Sequence, residues 1–508
     1  MTAYELEDIK KKQQQHLDYG QRPSDHDEPN VLVLGAGEHM GRNRSVQPSD
    51  RFNLVYIILI IHGVGTLMPW NMFINAEDYF RKYKLMPHLN NSTTQLVQPQ
   101  RDVSDTELAE LRKNFLTYLS LAAQVPNVVF NGLNLLVNIG SGNLKLRVNL
   151  TLILEAIVFI LTIVLAALDS SQWPGAFFYL TIVSVIILNM ASGIYQNCIF
   201  GVGAKFSGAY TNAILIGSNF SGTFTSIVNL LSIWLAPAPQ EAAMYYFVTA
   251  LFVILICIVS YNLLPLNRFF LYHDNPNDTR SDQTDQDDNA NISGLSKTLP
   301  INEMSDLKQA VDMMVPRNTT GAEDKTWCDD LKTKWNVLKK CWPQCFNVFF
   351  VFYVTLTLYP AVLANIAQTG TYFDKKYFTP FAFFFVFNAC AMVGNLVTSL
   401  TTWPGRKYVW VLVVLRSALI PFFLFCNFNP ASRQWKVLIE NDLLFMSANG
   451  LLGFSAGYLS SLCMMFASEG LDPNEAPKAG MLAAFFLVLG IFLGLNSSFL
   501  LTWLVELK

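Results

Sequence analysis

Eleven times along the chain a run of about twenty residues is rich in apolar side chains and holds at most one charged residue. A helix needs roughly that length to cross a hydrocarbon layer about 30 Å thick, and a soluble core has no use for so many such runs. They fall at 53–74, 115–137, 148–167, 176–200, 210–235, 244–264, 348–366, 381–400, 409–426, 443–466 and 481–504. Hydrophobic residues make up 52% of the 508-residue chain and charged ones only 14%, too few to solvate a soluble body of that size. The expected fold class is an all-α polytopic membrane protein with eleven transmembrane helices.

Two polar stretches punctuate the runs. Residues 1–51 are read as a disordered tail, and 266–344, rich in Asp, Asn, Ser and Thr, as a flexible loop that buries too little apolar surface to fold. Between and after them lie a six-helix bundle at 52–265 and a five-helix bundle at 345–508. Lys10, Lys11 and Lys12 stand in a polar tail without the apolar stretch of a signal peptide, so the first span is expected to act as its own insertion signal. The short loops that fall inside when the N-terminus is cytoplasmic carry Lys145, Arg147, Lys205, Arg406, Lys407 and Lys478, against Lys375, Lys376, Arg433 and Lys436 outside. That bias places the N-terminus in the cytoplasm and, with an odd number of spans, the C-terminus outside. The overlapping sequons at Asn90 and Asn91 then face the glycosylating side.

Several function classes are excluded. A net charge of −3 offers nucleic acid no basic surface. The segment from Val31 to Gly41 imitates a dinucleotide-binding glycine turn, but its last glycine is one residue late and no helix or second strand follows before the first span. The eight cysteines lie mostly within apolar runs; Cys341 and Cys345 have no His or second Cys pair to complete a zinc set. No paired carboxylates, nucleophile elbow or metal-spaced ligands occur at membrane depth, so neither an enzyme nor a metal or other cofactor is expected.

Inside hydrocarbon a polar side chain is costly, and a row of them marks a solute path or interhelical hydrogen bonding. Such residues are Asn71 beside Pro69 and Trp70, Gln124 and Asn127 flanking Pro126, Gln196 and Asn197, and Asn388 and Asn395. All are uncharged hydrogen-bonders, suited to a neutral, polar, partly aromatic solute. Pro69, Pro126 and Pro360 are expected to interrupt their helices. His62 reads as a proton-coupling group or as a histidine paired to a neighbour. Glu155 and Arg416, the charges set deepest in spans, read as a structural pair or as lining of the interior.

The run Gly65-Thr-Leu-Met-Pro69-Trp70-Asn71-Met-Phe73 resembles the signature of the equilibrative nucleoside transporter family. Gln196-Asn-Cys-Ile-Phe200-Gly201, Tyr210-Thr211, Trp403-Pro404-Gly405-Arg406, Gly457-Tyr458-Leu-Ser-Ser-Leu-Cys463 and Ala479-Gly480-Met-Leu-Ala-Ala-Phe485-Phe486 with Gly490 continue the resemblance from Arg51 to the C-terminus. It implies a major-facilitator-like 6+5 pair of bundles around a central cavity, carrying nucleosides, with nucleobases as a further class, down their gradient by alternating access. It implies also that Leu67, Trp70, Asn71, Gln124, Asn127, Gln196, Tyr359, Pro360, Phe384, Asn388, Asn395 and Ile491 bind substrate. Where family members carry an Asp and an Arg or Lys that grip the ribose, this chain has Ala391 and Asn395. The expected partners are a nucleoside or nucleobase and the bilayer, with the chain working as a monomer in the plasma membrane. The alternatives are a carrier of another small polar or cationic metabolite, a proton-coupled variant acting through His62, and a receptor or scaffold without transport.

Overall fold

The computed structural model describes residues 48–76, 79–85, 103–136, 144–235, 238–274, 327–371, 374–430 and 433–507. Residues 1–47, the sequons at Asn90 and Asn91, and the middle of the polar interval at 275–326 lie outside that description.

We number the long helices α1 (Leu54–Asn75), α2 (Phe115–Leu136), α3 (Leu144–Ala167), α4 (Pro174–Gly203), α5 (Gly208–Leu235), α6 (Pro239–Leu263), α7 (Trp327–Leu358), α8 (Val386–Val397, entered through a π-helical stretch Phe378–Phe385), α9 (Val409–Leu424), α10 (Asp442–Ser468) and α11 (Ala476–Glu506). The faces of α3 show why such sequences need lipid. Val148, Leu152, Glu155, Phe159, Thr162 and Ala166 are buried on one stripe, while Ile153, Ile157, Ile160 and Val164 on the other are 47, 56, 52 and 49% exposed. An outward row of large aliphatic side chains at spacings of four, three and four is stable only against hydrocarbon.

Among the described residues nine helices are long and apolar enough to cross a membrane. The two others are α2, which carries Gln124, Asn127, Asn131 and Asn134, and α9, which is shorter and divides into Val409–Leu415 and Leu419–Leu424 around a 3-10 turn at Arg416–Ala418. In that turn Arg416 donates to the carbonyls of Val351 (2.8 Å) and Leu452 (3.3 Å) and to Thr355 Oγ1 (3.0 Å), so it ties α9 to α7 and α10 and makes no pair with Glu155.

Three local expectations are corrected. Pro69 and Pro126 sit inside unbroken helices, and only Pro360 follows a helix end, because α7 stops at Leu358 rather than running to 366. The interval 266–344 is not wholly loop. Arg268–Asp274 is helical and α7 begins at Trp327, since Val337, Cys341, Cys345 and Val348 form a fully buried stripe that the charged residues between them conceal in the sequence. Asp330 and Lys334, paired at 2.6 Å one turn apart, support its first turns.

Without a hydrophobic drive between helices in lipid, packing rests on backbone approach and polar contacts. A Cβ on Gly63 would stand 2.1 Å from the Ile214 carbonyl oxygen and one on Gly217 2.0 Å from that of Ile60, so α1 and α5 touch backbone to backbone. Helices α1 to α6 form one packed group and α7, α8, α10 and α11 are the mainstay of a second. The groups meet along α5 and at the end where α1 begins, called proximal here. There Asn197 Nδ2 donates to Met481 O (2.8 Å), Asn212 Nδ2 to Asn395 O (3.2 Å), and a Cβ on Gly480 would lie 2.6 Å from Phe200 O. At the opposite, distal end Lys84 donates to the carbonyls of Leu165 and Leu168, placing a cation on the negative end of α3. Burial holds that ammonium below the usual lysine range, and Asp169 opposes the shift.

Candidate substrate site between the helix groups

Helix α5 organises the middle of the molecule. Its Ser221 hydroxyl accepts from Asn71 Nδ2 on α1 (3.1 Å), and one turn on the Ser226 hydroxyl accepts from Asn388 Nδ2 on α8 (3.1 Å). Between them Gly222 faces Asn388, whose Oδ1 would lie 2.5 Å from a Cβ there. One short stretch of α5 therefore holds polar side chains from both groups. Asn388 Nδ2 also points to the Tyr359 hydroxyl (3.5 Å) and donates to the Phe384 carbonyl (2.9 Å). The Tyr359 ring is stacked on Phe387 at 4.4 Å and meets Phe384 edge-on at 5.9 Å. Amides beside aromatic faces can bond the edge of a flat heterocycle while its face packs on a ring.

Leu67, Trp70, Asn71, Gln124, Asn127, Tyr359, Pro360, Phe384, Asn388 and Ile491 are all half-buried. The Gln124 and Asn127 side chains, and that of Gln196 at 7% exposure, make no hydrogen bond among the described residues. Amides left unpaired beside an interior surface retain their full bonding capacity for a solute. Direct contacts join Asn71 to α5 and Tyr359, Phe384 and Asn388 to one another; no such contact joins Leu67, Trp70, Gln124, Gln196 or Ile491 to that set.

Asn395 lies apart from that set. It is fully buried, its Oδ1 accepts from Ser461 on α10 (3.2 Å), and its Nδ2 has no partner. The cause is Gly457, where a Cβ would stand 1.9 Å from Ala391 O and 2.7 Å from Asn395 Oδ1, so α8 and α10 close over both side chains. Asn197 likewise serves packing: with Asn131, Asn134 and Arg147 it forms a buried network in which Asn197 donates to Asn131 (2.9 Å), Asn134 to Asn197 (2.8 Å) and Arg147 to Asn134 (3.1 Å). Ser221, Gly222 and Ser226 escaped the sequence reading. Their signal was the small residues Ser218, Ser221, Gly222, Thr225 and Ser226 at helical spacing.

An all-helical architecture of apolar spans in two groups, lined with uncharged amides and aromatic rings between them, is that of a membrane carrier. The chain belongs to the nucleoside transporter family, whose sequence profile matches residues 182–503. It is 30% identical to equilibrative nucleoside transporter 1 of Rattus norvegicus over 91% of this chain and 99% of that one. To equilibrative nucleoside transporter 1 of Homo sapiens it is 28% identical, covering 90% and 98%. In fold it is similar to the major facilitator superfamily proton:xylose symporter XylE, with a TM-score of 0.52 and 12% identity over 90% of this chain and 89% of that one.

Proposed function

We propose that this protein carries nucleosides across a membrane down their gradient by alternating access, binding them between the two helix groups. The observation that carries the reading is the α5 stretch Ser221–Ser226, which holds Asn71 of one group and Asn388 of the other at hydrogen-bond distance. A solute bonded by both amides senses the relative position of the groups, as alternating access requires. The contacts at the proximal end correspond to a state closed on that side. All eleven helical segments cross the bilayer, in a 6+5 division, with the proximal end and N-terminus in the cytoplasm and the C-terminus outside; the loop bias in Lys and Arg supports this orientation. The plasma membrane is the site of action, Asn90 or Asn91 carries glycan, and one chain suffices for transport. Nucleobases form a second substrate class, because the amides and rings address the base.

The test is Gln196→Ala. A fully paired amide would be part of the packing, whereas this one has no partner among the described residues. Radiolabelled uridine uptake should fall severalfold at unchanged surface abundance. Uptake and abundance falling together would assign Gln196 to packing and count against the site.

A further inference from the structure

Behind α1 and α4, away from the residues assigned to substrate, the first helix group encloses a second set of polar side chains. Glu155 of α3 is fully buried and neither of its carboxylate oxygens has a hydrogen-bond partner. Tyr195 of α4 and Cys257 of α6 lie within electrostatic range of it. Both converge on α1, since a Cβ on Gly65 would lie 2.6 Å from Cys257 Sγ and 3.0 Å from the Tyr195 hydroxyl. That hydroxyl is 2.7 Å from Nδ1 of His62, whose Nε2 is 3.4 Å from Ser260 Oγ. The His62 ring also meets Tyr261 edge-on at 5.4 Å. Tyr261 in turn lines a pocket of about 230 Å³ at the proximal end, together with Lys145, Lys205 and Asp274. Titratable side chains thus stand at intervals between that pocket and Glu155, with a direct contact only between His62 and Tyr195.

We propose that Glu155 is a proton-binding site served from this pocket through Tyr261, His62 and Tyr195, and that nucleoside transport by this chain proceeds with Glu155 neutral. The proposal rests on the transport reading above. An ionised carboxylate without a cation or a donor at this depth is strongly disfavoured, whereas the neutral acid is tolerated. The titratable groups of the surrounding helices are His62 of α1, Tyr195 of α4, and Cys257 and Tyr261 of α6; Arg147, about two turns earlier on α3, donates to Asn134. Hydronium in the pocket gives up its proton and becomes water, each relay group accepts one proton and passes one on, and an O–H bond forms at Glu155. Deprotonation leaves a buried charge in the bundle that must move as a body during access exchange. Activity is therefore present at low pH and lost as pH rises through the titration of Glu155.

The experiment uses the purified full chain in proteoliposomes held at equal pH on both faces, from about pH 5 to about pH 9. Uridine uptake by the wild type should fall about tenfold per unit of pH above the midpoint, and uptake by Glu155→Gln should stay level across the range. Infrared spectroscopy of the same samples, which needs no transport, should show a neutral-carboxyl stretch in the wild type that titrates at the same midpoint and is missing from Glu155→Gln. Tyr195→Phe, which cuts the relay and leaves the acid in place, should retain that band and slow its exchange into deuterated buffer. A wild-type profile without pH dependence, a Glu155→Gln profile like the wild type, or absence of the band would overturn the proposal. Absence of uptake at every pH with the titrating band present would instead locate the failure in the transport reading.

Discussion

Asn388 has three hydrogen-bonding neighbours, Ser226 of α5, Tyr359 just past the end of α7 and Phe384 one turn back on its own helical stretch, and only a glycine at 222 leaves room for its amide oxygen. Ser226→Ala removes one neighbour without adding bulk. A neutral hydrogen bond contributes about 1 kcal/mol, so the KM for uridine should rise roughly fivefold with folded yield unchanged, measured by initial uptake rates and size-exclusion profiles. Ala391 belongs to a different environment, 1% exposed with its carbonyl against Gly457. An Ala391→Asp carboxylate would be buried with no cation beside it, a loss of about 3–5 kcal/mol, and the variant should aggregate on solubilisation. A monodisperse Ala391→Asp protein with sharpened ribose selectivity would show that the usual charge pair can be rebuilt here. Sequence singled out the amides of α1 and α8 by type and resemblance and grouped Asn395 with them, and the packing of Asn395 against Ser461 is not visible in a motif position. It passed over Ser221, Gly222 and Ser226 because small residues in a span read equally as packing.

The helices were legible because each needs a membrane-length apolar run, a signal that does not depend on its neighbours. Their ends were not. The charged face of α7 masks its buried stripe, and α9 breaks where Arg416 requires three acceptors from α7 and α10, partners no local pattern reveals. Packing between helices turns on glycines whose role is visible only in pairs. Gly217→Ala would set a Cβ 2.0 Å from the Ile60 carbonyl oxygen, which α1 can relieve only by moving its backbone. Overpacking of this kind costs about 1–3 kcal/mol or more, so the variant should lose thermal stability in detergent and much of its folded yield. A Gly217→Ala protein as stable as the wild type would contradict the close approach of α1 and α5 on which the position of Asn71 depends.

Across the whole molecule, alternating access requires the proximal contacts to open and close. Asn212 of α5 and Ser399 at the end of α8 stand 3.4 Å apart across the interface, and most of the native cysteines described are buried. A short thiol cross-linker applied to the double variant Asn212→Cys with Ser399→Cys should block uridine uptake, and cleavage of the linker should restore it. Cross-linking that leaves uptake intact would mean that this end does not open during transport. Facilitative transport is tested most directly by uptake of labelled uridine by the purified chain in proteoliposomes without any imposed gradient of ions. Saturable entry is expected, ending when inner and outer concentrations are equal and accelerated by unlabelled uridine preloaded inside. Entry no faster than into empty vesicles would contradict it.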